Sequence, residues 1–110
     1  MTDFVLVLTT MPDDERAEAL AVTLVEEHLA ACVNVHGTMR STYRWRGGVE
    51  RDPERQLVIK STRDRLAALE ARVRALHPYD LPEWVVIDSD AGGAYGTWVR
   101  DQTRPAGSAG

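Results

Sequence analysis

Residues 39 to 60 hold two alternating runs around a double glycine, and that pattern commits the chain to an antiparallel sheet. Met39, Ser41, Tyr43 and Trp45 alternate with Arg40, Thr42, Arg44 and Arg46, which is the two-residue period of a strand with two unlike faces. Gly47-Gly48 offers the positive-φ positions of a tight hairpin, and the chain returns from Val49 through Asp52-Pro53 to Gln56-Leu57-Val58-Ile59-Lys60. Pro53 lacks an amide N–H and is expected at an edge or a bulge. The hairpin is longer than pairing within a four-stranded sheet requires, and its aromatic tip, Tyr43-Arg44-Trp45, is costly to leave in water. Both features point to an oligomer.

Around the hairpin the other elements follow from periodicity. Phe4 to Leu8 is a continuous apolar run suited to a strand buried on both faces, and Thr9-Thr10-Met11-Pro12 reads as its end. Asp13 or Asp14 caps a predicted helix with Ala17, Leu20, Ala21, Leu24 and Val25 on its apolar side, running to about Ala30. Cys32 to His36 alternates as a strand. Ser61 or Thr62 caps a second helix that carries Leu66, Leu69, Val73 and Leu76 on one face. Glu83 to Ile87 is a short apolar strand, Ala94 to Arg100 a short C-terminal helix, and residues 104–110 have the composition of a disordered tail. Residues 1–103 therefore read as one α+β domain. The order β-α-β-β-α-β is the ferredoxin-like sandwich, with two helices on one face of a mostly antiparallel sheet. The other face must be polar, bind something or pack on another subunit.

Composition narrows the function classes. The 110 residues hold 13 Lys plus Arg against 17 Asp plus Glu, a net charge of -4, so a nucleic-acid partner is not expected. No apolar stretch approaches the roughly 20 residues of a membrane span. Met1-Thr2-Asp3 and the short run after it do not resemble a signal peptide, so a cytoplasmic location is expected. Cys32, the only cysteine, can form neither an internal disulfide nor a Cys-based zinc cage within one chain. Lys60 is the only lysine; it suits a place where a compact point charge is wanted and a planar fork does not fit.

His77-Pro78-Tyr79-Asp80-Leu81-Pro82-Glu83 places an imidazole, a phenol and carboxylates in a connection stiffened by two prolines. Pro78 ends the helix before it and Pro82 holds Leu81 extended. Such a loop presents preorganised polar groups to a ligand, and it also serves as a plain helix-to-strand turn.

Six short motifs occur together in order. They are Thr10-x-Pro12, Leu29-Ala30-Ala31-Cys32-Val33-Asn34, Tyr43-x-Trp45-x-Gly47, Ile59-Lys60-Ser61-Thr62, His77-Pro78-Tyr79-x-x-Pro82-Glu83 and Tyr95-x-x-Trp98. On these the chain, from about Phe4 to Trp98, resembles the CutA family of divalent-cation tolerance proteins. The resemblance implies a homotrimer of ferredoxin-like subunits, similar in architecture to PII signal-transduction proteins, with hairpins reaching neighbouring subunits, and a link to copper and other divalent cations.

Copper favours imidazole and thiolate, which makes His77 the first candidate metal ligand, with Cys32, His28 and His36 behind it. Members associated with copper can carry a Cys at the end of the first strand and a second His before the His-Pro-Tyr motif. Thr9 and Leu76 stand at those places here, so a tight copper site of that kind is not expected; a weak divalent-cation site, or none, is. The alternative is a PII-like pocket for a small molecule or anion between subunits, with Tyr43, Trp45, Lys60, Tyr79 and Glu83 as walls and anchors. Catalysis is not expected: no nucleophile sits beside an evident base and no phosphate-binding glycine loop follows the first strand, although the fold also hosts small hydrolases.

Overall fold

A computed structural model describes residues 3–105. Five strands form one sheet: β1 (Phe4–Pro12), β2 (Cys32–Val35), β3 (Met39–Trp45), β4 (Gly48–Thr62) and β5 (Val85–Ser89). Three α-helices accompany them: α1 (Arg16–Glu26), α2 (Leu66–Leu76), which follows a single 3-10 turn at Arg63–Arg65, and α3 (Gly93–Gln102). The strand order is β2-β4-β1-β5, with β3 also on β4, and every pairing is antiparallel. This is the expected ferredoxin-like α+β arrangement. Of the predicted tail, residues 106–110 lie outside the described residues.

β2 and β3 run along the same side of β4. Val35 pairs with Leu57 and Met39 with Glu54, so three residues on one strand, 36–38, oppose two on the other, 55 and 56. That slip is a bulge at His36-Gly37-Thr38, which joins β2 and β3 into one long bent strand. The turn at the far end differs from the sequence expectation. Arg46 (φ 49°) and Gly47 (φ 81°) hold the two left-handed positions, while Gly48 pairs with Trp45. Register decides this: a two-residue loop places both positive-φ residues between the paired positions. Beyond Glu54 strand β1 no longer accompanies β4, so Pro53 lies on an open edge, where its missing N–H costs no ladder bond.

The core lies between one sheet face and α1 with α2. Val5, Val7 and Met11 of β1, Leu57 and Ile59 of β4, Leu20 and Leu24 of α1, and Leu69 and Val73 of α2 are all buried, each contributing on the order of 1.5–3 kcal/mol. Two expectations change here. β1 continues through Pro12, past the predicted break, and its alternate residues Leu6, Leu8 and Thr10 are only half-buried. The reason is coverage: α3 packs Val99 on Phe4 and leaves the rest of that second face without a helix. Val25 and Leu76, predicted for the apolar sides of their helices, are each 41% exposed.

α1 ends at Glu26, before the predicted Ala30, because His28 turns left-handed at φ 60°. His28 N–H then donates to Val25 O at 3.1 Å and Leu29 N–H to Leu24 O at 3.0 Å, the paired bonds that close a helix C-terminus. β5 starts two residues later than predicted, at Val85, because Glu83 and Trp84 belong to the incoming loop.

Candidate functional site

The two-residue period sorts the side chains of the hairpin. Tyr43 lies opposite Glu50, Ser41 opposite Asp52 and Met39 opposite Glu54, so aromatic and acidic groups share one face. Arg40, Arg44 and Arg51 fall on the other. Pro78 ends α2 and gives His77 an extended backbone (φ -78°, ψ 134°), which throws the loop from His77 to Glu83 across the mouth of the acidic face. Between them lies a cleft of about 790 Å³ whose walls include Tyr43, Trp45, Glu54, Tyr79 and Glu83, with Thr10 at its side and Pro78, Leu81 and Pro82 at its rim.

Hydrogen bonds fix the walls. The Tyr79 hydroxyl donates to Glu54 Oε2 at 2.7 Å, and the Tyr43 hydroxyl donates to Asp52 Oδ2. Gln56 Nε2 donates to Glu83 Oε2 at 2.9 Å and to Thr9 O at 2.7 Å. Glu54 is 7% exposed. Among the described residues, Asp52, Glu54 and Glu83 take part in no ion pair, and no Lys or Arg lines the cleft. The bond to Asp52, followed by burial, pushes the Tyr43 phenol up to about 12. Burial, followed by the bond to Glu54, pushes Tyr79 up further. Both rings stay protonated donors at neutral pH.

His77 stands behind the loop. It is 9% exposed, its Nε2 lies 2.7 Å from Thr10 O and its Nδ1 lies 3.2 Å from Tyr79 N. A carbonyl only accepts and an amide N–H only donates, so His77 is the neutral tautomer with the proton on Nε2. Burial lowers its pKa, partly offset by the Thr10 carbonyl and Glu54. Both nitrogens are occupied. His77 supports the cleft, packing its ring 4.8 Å from that of Tyr79, and it would ligate a metal only by giving up the Tyr79 N–H.

Of the residues singled out from the sequence, the chain brings Tyr43, Trp45, Tyr79 and Glu83 to one cleft with His77 at its back. Lys60 lies elsewhere. It is six residues along β4 from Glu54, roughly 20 Å at strand rise, with its ammonium 5.9 Å from the Tyr95 ring. Cys32 pairs with Lys60 at that same end of the sheet and its Sγ takes a 3.9 Å contact from Asn34 Nδ2. His28 Nδ1 lies 3.1 Å from Gln102 O, and His36 is exposed just past β2. Among the described residues no three His, Cys, Asp or Glu side chains gather as a metal site. The donors copper prefers are therefore scattered in this chain. Sequence reasoning missed Glu54, Asp52 and Gln56. Extending the period-2 reading through Pro53 places the two acids on the Tyr43 side, but a proline inside a run reads as its end.

Comparison with known proteins gives one consistent result. The family model described as CutA1 divalent ion tolerance protein matches residues 5–102. A divalent-cation tolerance protein CutA from Thermus thermophilus is 44% identical over 99 residues, which cover 89% of this chain and 96% of the relative. A rice protein named CutA 1, chloroplastic, is 38% identical over 101 residues, covering 91% of this chain and 57% of the relative. The crystal structure of CutA from Xylella fastidiosa superposes with a TM-score of 0.89 at 39% identity, over 94% of this chain and 100% of that one.

Proposed function

Since this chain belongs to the CutA family of divalent-cation tolerance proteins, we propose that it serves cation tolerance as a binding protein, a homotrimer whose cleft beside the proline loop takes a cation. The observation that carries this reading is the charge of the cleft. Glu54 is nearly buried, Glu83 lines the same space, and among the described residues no Lys or Arg lines it. A carboxylate withdrawn from water without a cationic partner is costly, and a bound cation removes that cost.

Copper does not fit these residues, because the imidazole of His77 is doubly engaged and Cys32 lies at the other end of the sheet. Carboxylates suit harder divalent ions, and an ion such as Mg²⁺ keeps several waters while binding through one or two carboxylates. The trimer reading rests on the half-covered sheet face. Val85 and Ile87 of β5 are 43% and 40% exposed, Tyr95 and Trp98 of α3 are each 43% exposed, and Tyr43 and Trp45 are each 39% exposed. That much apolar surface suits burial against further copies.

Calorimetric titration with MgCl₂, ZnCl₂ and CuCl₂ tests the site, alongside light scattering for the assembly. Binding of Mg²⁺ or Zn²⁺ that weakens in Glu83→Gln and persists in His77→Gln is expected, on a particle of three chain masses. Copper binding abolished by His77→Gln and untouched by Glu83→Gln would overturn the site, and a monomer would overturn the assembly.

A further inference from the structure

We propose that His77 is a proton-operated latch on the proline loop: as a neutral imidazole it holds residues 78–83 against strand β1, and as an imidazolium it releases them. The ring bridges sheet and loop. β5 stops pairing with β1 at Leu8, and two residues further on the Thr10 carbonyl takes its hydrogen bond from His77 Nε2 at 2.7 Å. On the other side His77 Nδ1 accepts the Tyr79 N–H at 3.2 Å. One edge of the imidazole donates to the sheet while the other accepts from the loop, which only the neutral ring can do.

Protonation removes the acceptor. Nδ1 then carries a hydrogen aimed at the Tyr79 N–H, and turning the ring over brings no relief, because both nitrogens of an imidazolium donate. The Tyr79 peptide has to move away. Little else holds that end of the loop. Pro78 and Pro82 have no N–H to give. Among the described residues the other hydrogen bonds between 78–83 and the rest of the chain are those of the Tyr79 hydroxyl to Glu54 and of Gln56 to Glu83. The first belongs to the residue whose peptide is displaced.

The groups around the ring set the sign. Burial opposes the imidazolium, while the Thr10 carbonyl of β1 and Glu54 of β4 favour it and offset burial only in part. Tyr79 of the loop stays neutral, because burial and Glu54 raise its phenol. The closed loop thus holds the ring below the ordinary 6.5, and closure is lost as pH falls through the lowered value. All of these bonds lie within one chain, so packing against further copies covers the latch without supplying its partners. The latch stands whatever the cleft holds.

Amide hydrogen exchange read by NMR on the full chain in its solution assembly, corrected for the intrinsic pH dependence of exchange, tests the latch. Between about pH 7.5 and about pH 5 the protection of the Tyr79 amide is expected to fall at least about tenfold, while the amides of buried Val7 and Ile59 keep theirs. In His77→Gln, whose side chain carries a donor and an acceptor at every pH, the fall is expected to vanish. Nitrogen chemical shifts of the His77 ring in the wild type report its protonation directly, with a midpoint expected to coincide with the loss of Tyr79 protection. Should His77→Gln fail to fold, that coincidence decides alone. Tyr79 protection that stays level over this range overturns the inference, as does an equal fall in His77→Gln. A fall shared by Val7 and Ile59 also overturns it, since the loop then opens only with the whole fold.

Discussion

The Tyr79 hydroxyl donates to Glu54 Oε2 at 2.7 Å, and this bond ties the proline loop to strand β4 beneath the cleft. It joins segments 25 residues apart in sequence and satisfies a carboxylate that is 7% exposed. Replacing Tyr79 with Phe leaves that oxygen without a donor, so Tyr79→Phe should destabilise the fold by about 1–3 kcal/mol. In a Glu54→Gln background the same change should cost less, because no charge is left stranded. Urea denaturation of the four proteins in this cycle measures the coupling, and additive effects would show that the bond contributes nothing of its own.

His77 gives the fold a pH dependence with a definite sign. Burial lowers its folded-state pKa from the ordinary 6.5, so on acidification the unfolded chain takes up the proton first. The stability held by the neutral imidazole is complete above about pH 6.5 and is lost as pH falls through the lowered folded value. Thermal melts should show a decline below pH 6.5 that is shallower in His77→Gln. A melting temperature with the same acid slope in both proteins would mean that the His77 proton is not the source.

Much of this architecture is legible in the sequence because alternation and helical spacing report which faces are buried. The hairpin, both core helices and the ferredoxin-like order follow from such patterns. Several of the misplaced details share a cause, since they depend on pairing between distant segments. β1 runs through Pro12 because Glu54 lies opposite it, and the turn holds Arg46 because Gly48 must pair with Trp45. Within the cleft, the stiff His-Pro-Tyr loop and the aromatic tip stand out from their residue types. Glu54 looks like any surface glutamate until the loop folds over it, and Lys60 looks like a cleft residue until strand register carries it to the Tyr95 end.

Thr9 occupies a fully buried position, 0% exposed, and its hydroxyl has no hydrogen-bond partner among the described residues. Valine has nearly the same shape and no polar atom to strand. Thr9→Val should therefore raise stability by about 1 kcal/mol, read as a higher urea midpoint with an unchanged slope. A fall in stability would reveal a partner for that hydroxyl in the assembled protein.

Gly47 holds φ 81° in the hairpin turn, and a Cβ placed there meets nothing within 4 Å. Gly47→Ala should consequently cost about 1 kcal/mol through backbone conformation alone. Gly37→Ala, in open space without a positive φ, should cost much less. Denaturation of the two variants side by side separates conformational strain from crowding.

The central claim is that carboxylates of the cleft, and not the imidazole behind it, hold the cation. Anomalous diffraction from crystals grown with Mn²⁺, a hard divalent ion visible at its own absorption edge, tests that most directly. The account predicts a peak within the cleft beside Glu83 and Glu54, with His77 still bonded to Thr10 O and Tyr79 N. A peak on the His77 imidazole, with the cleft carboxylates unoccupied, would contradict it.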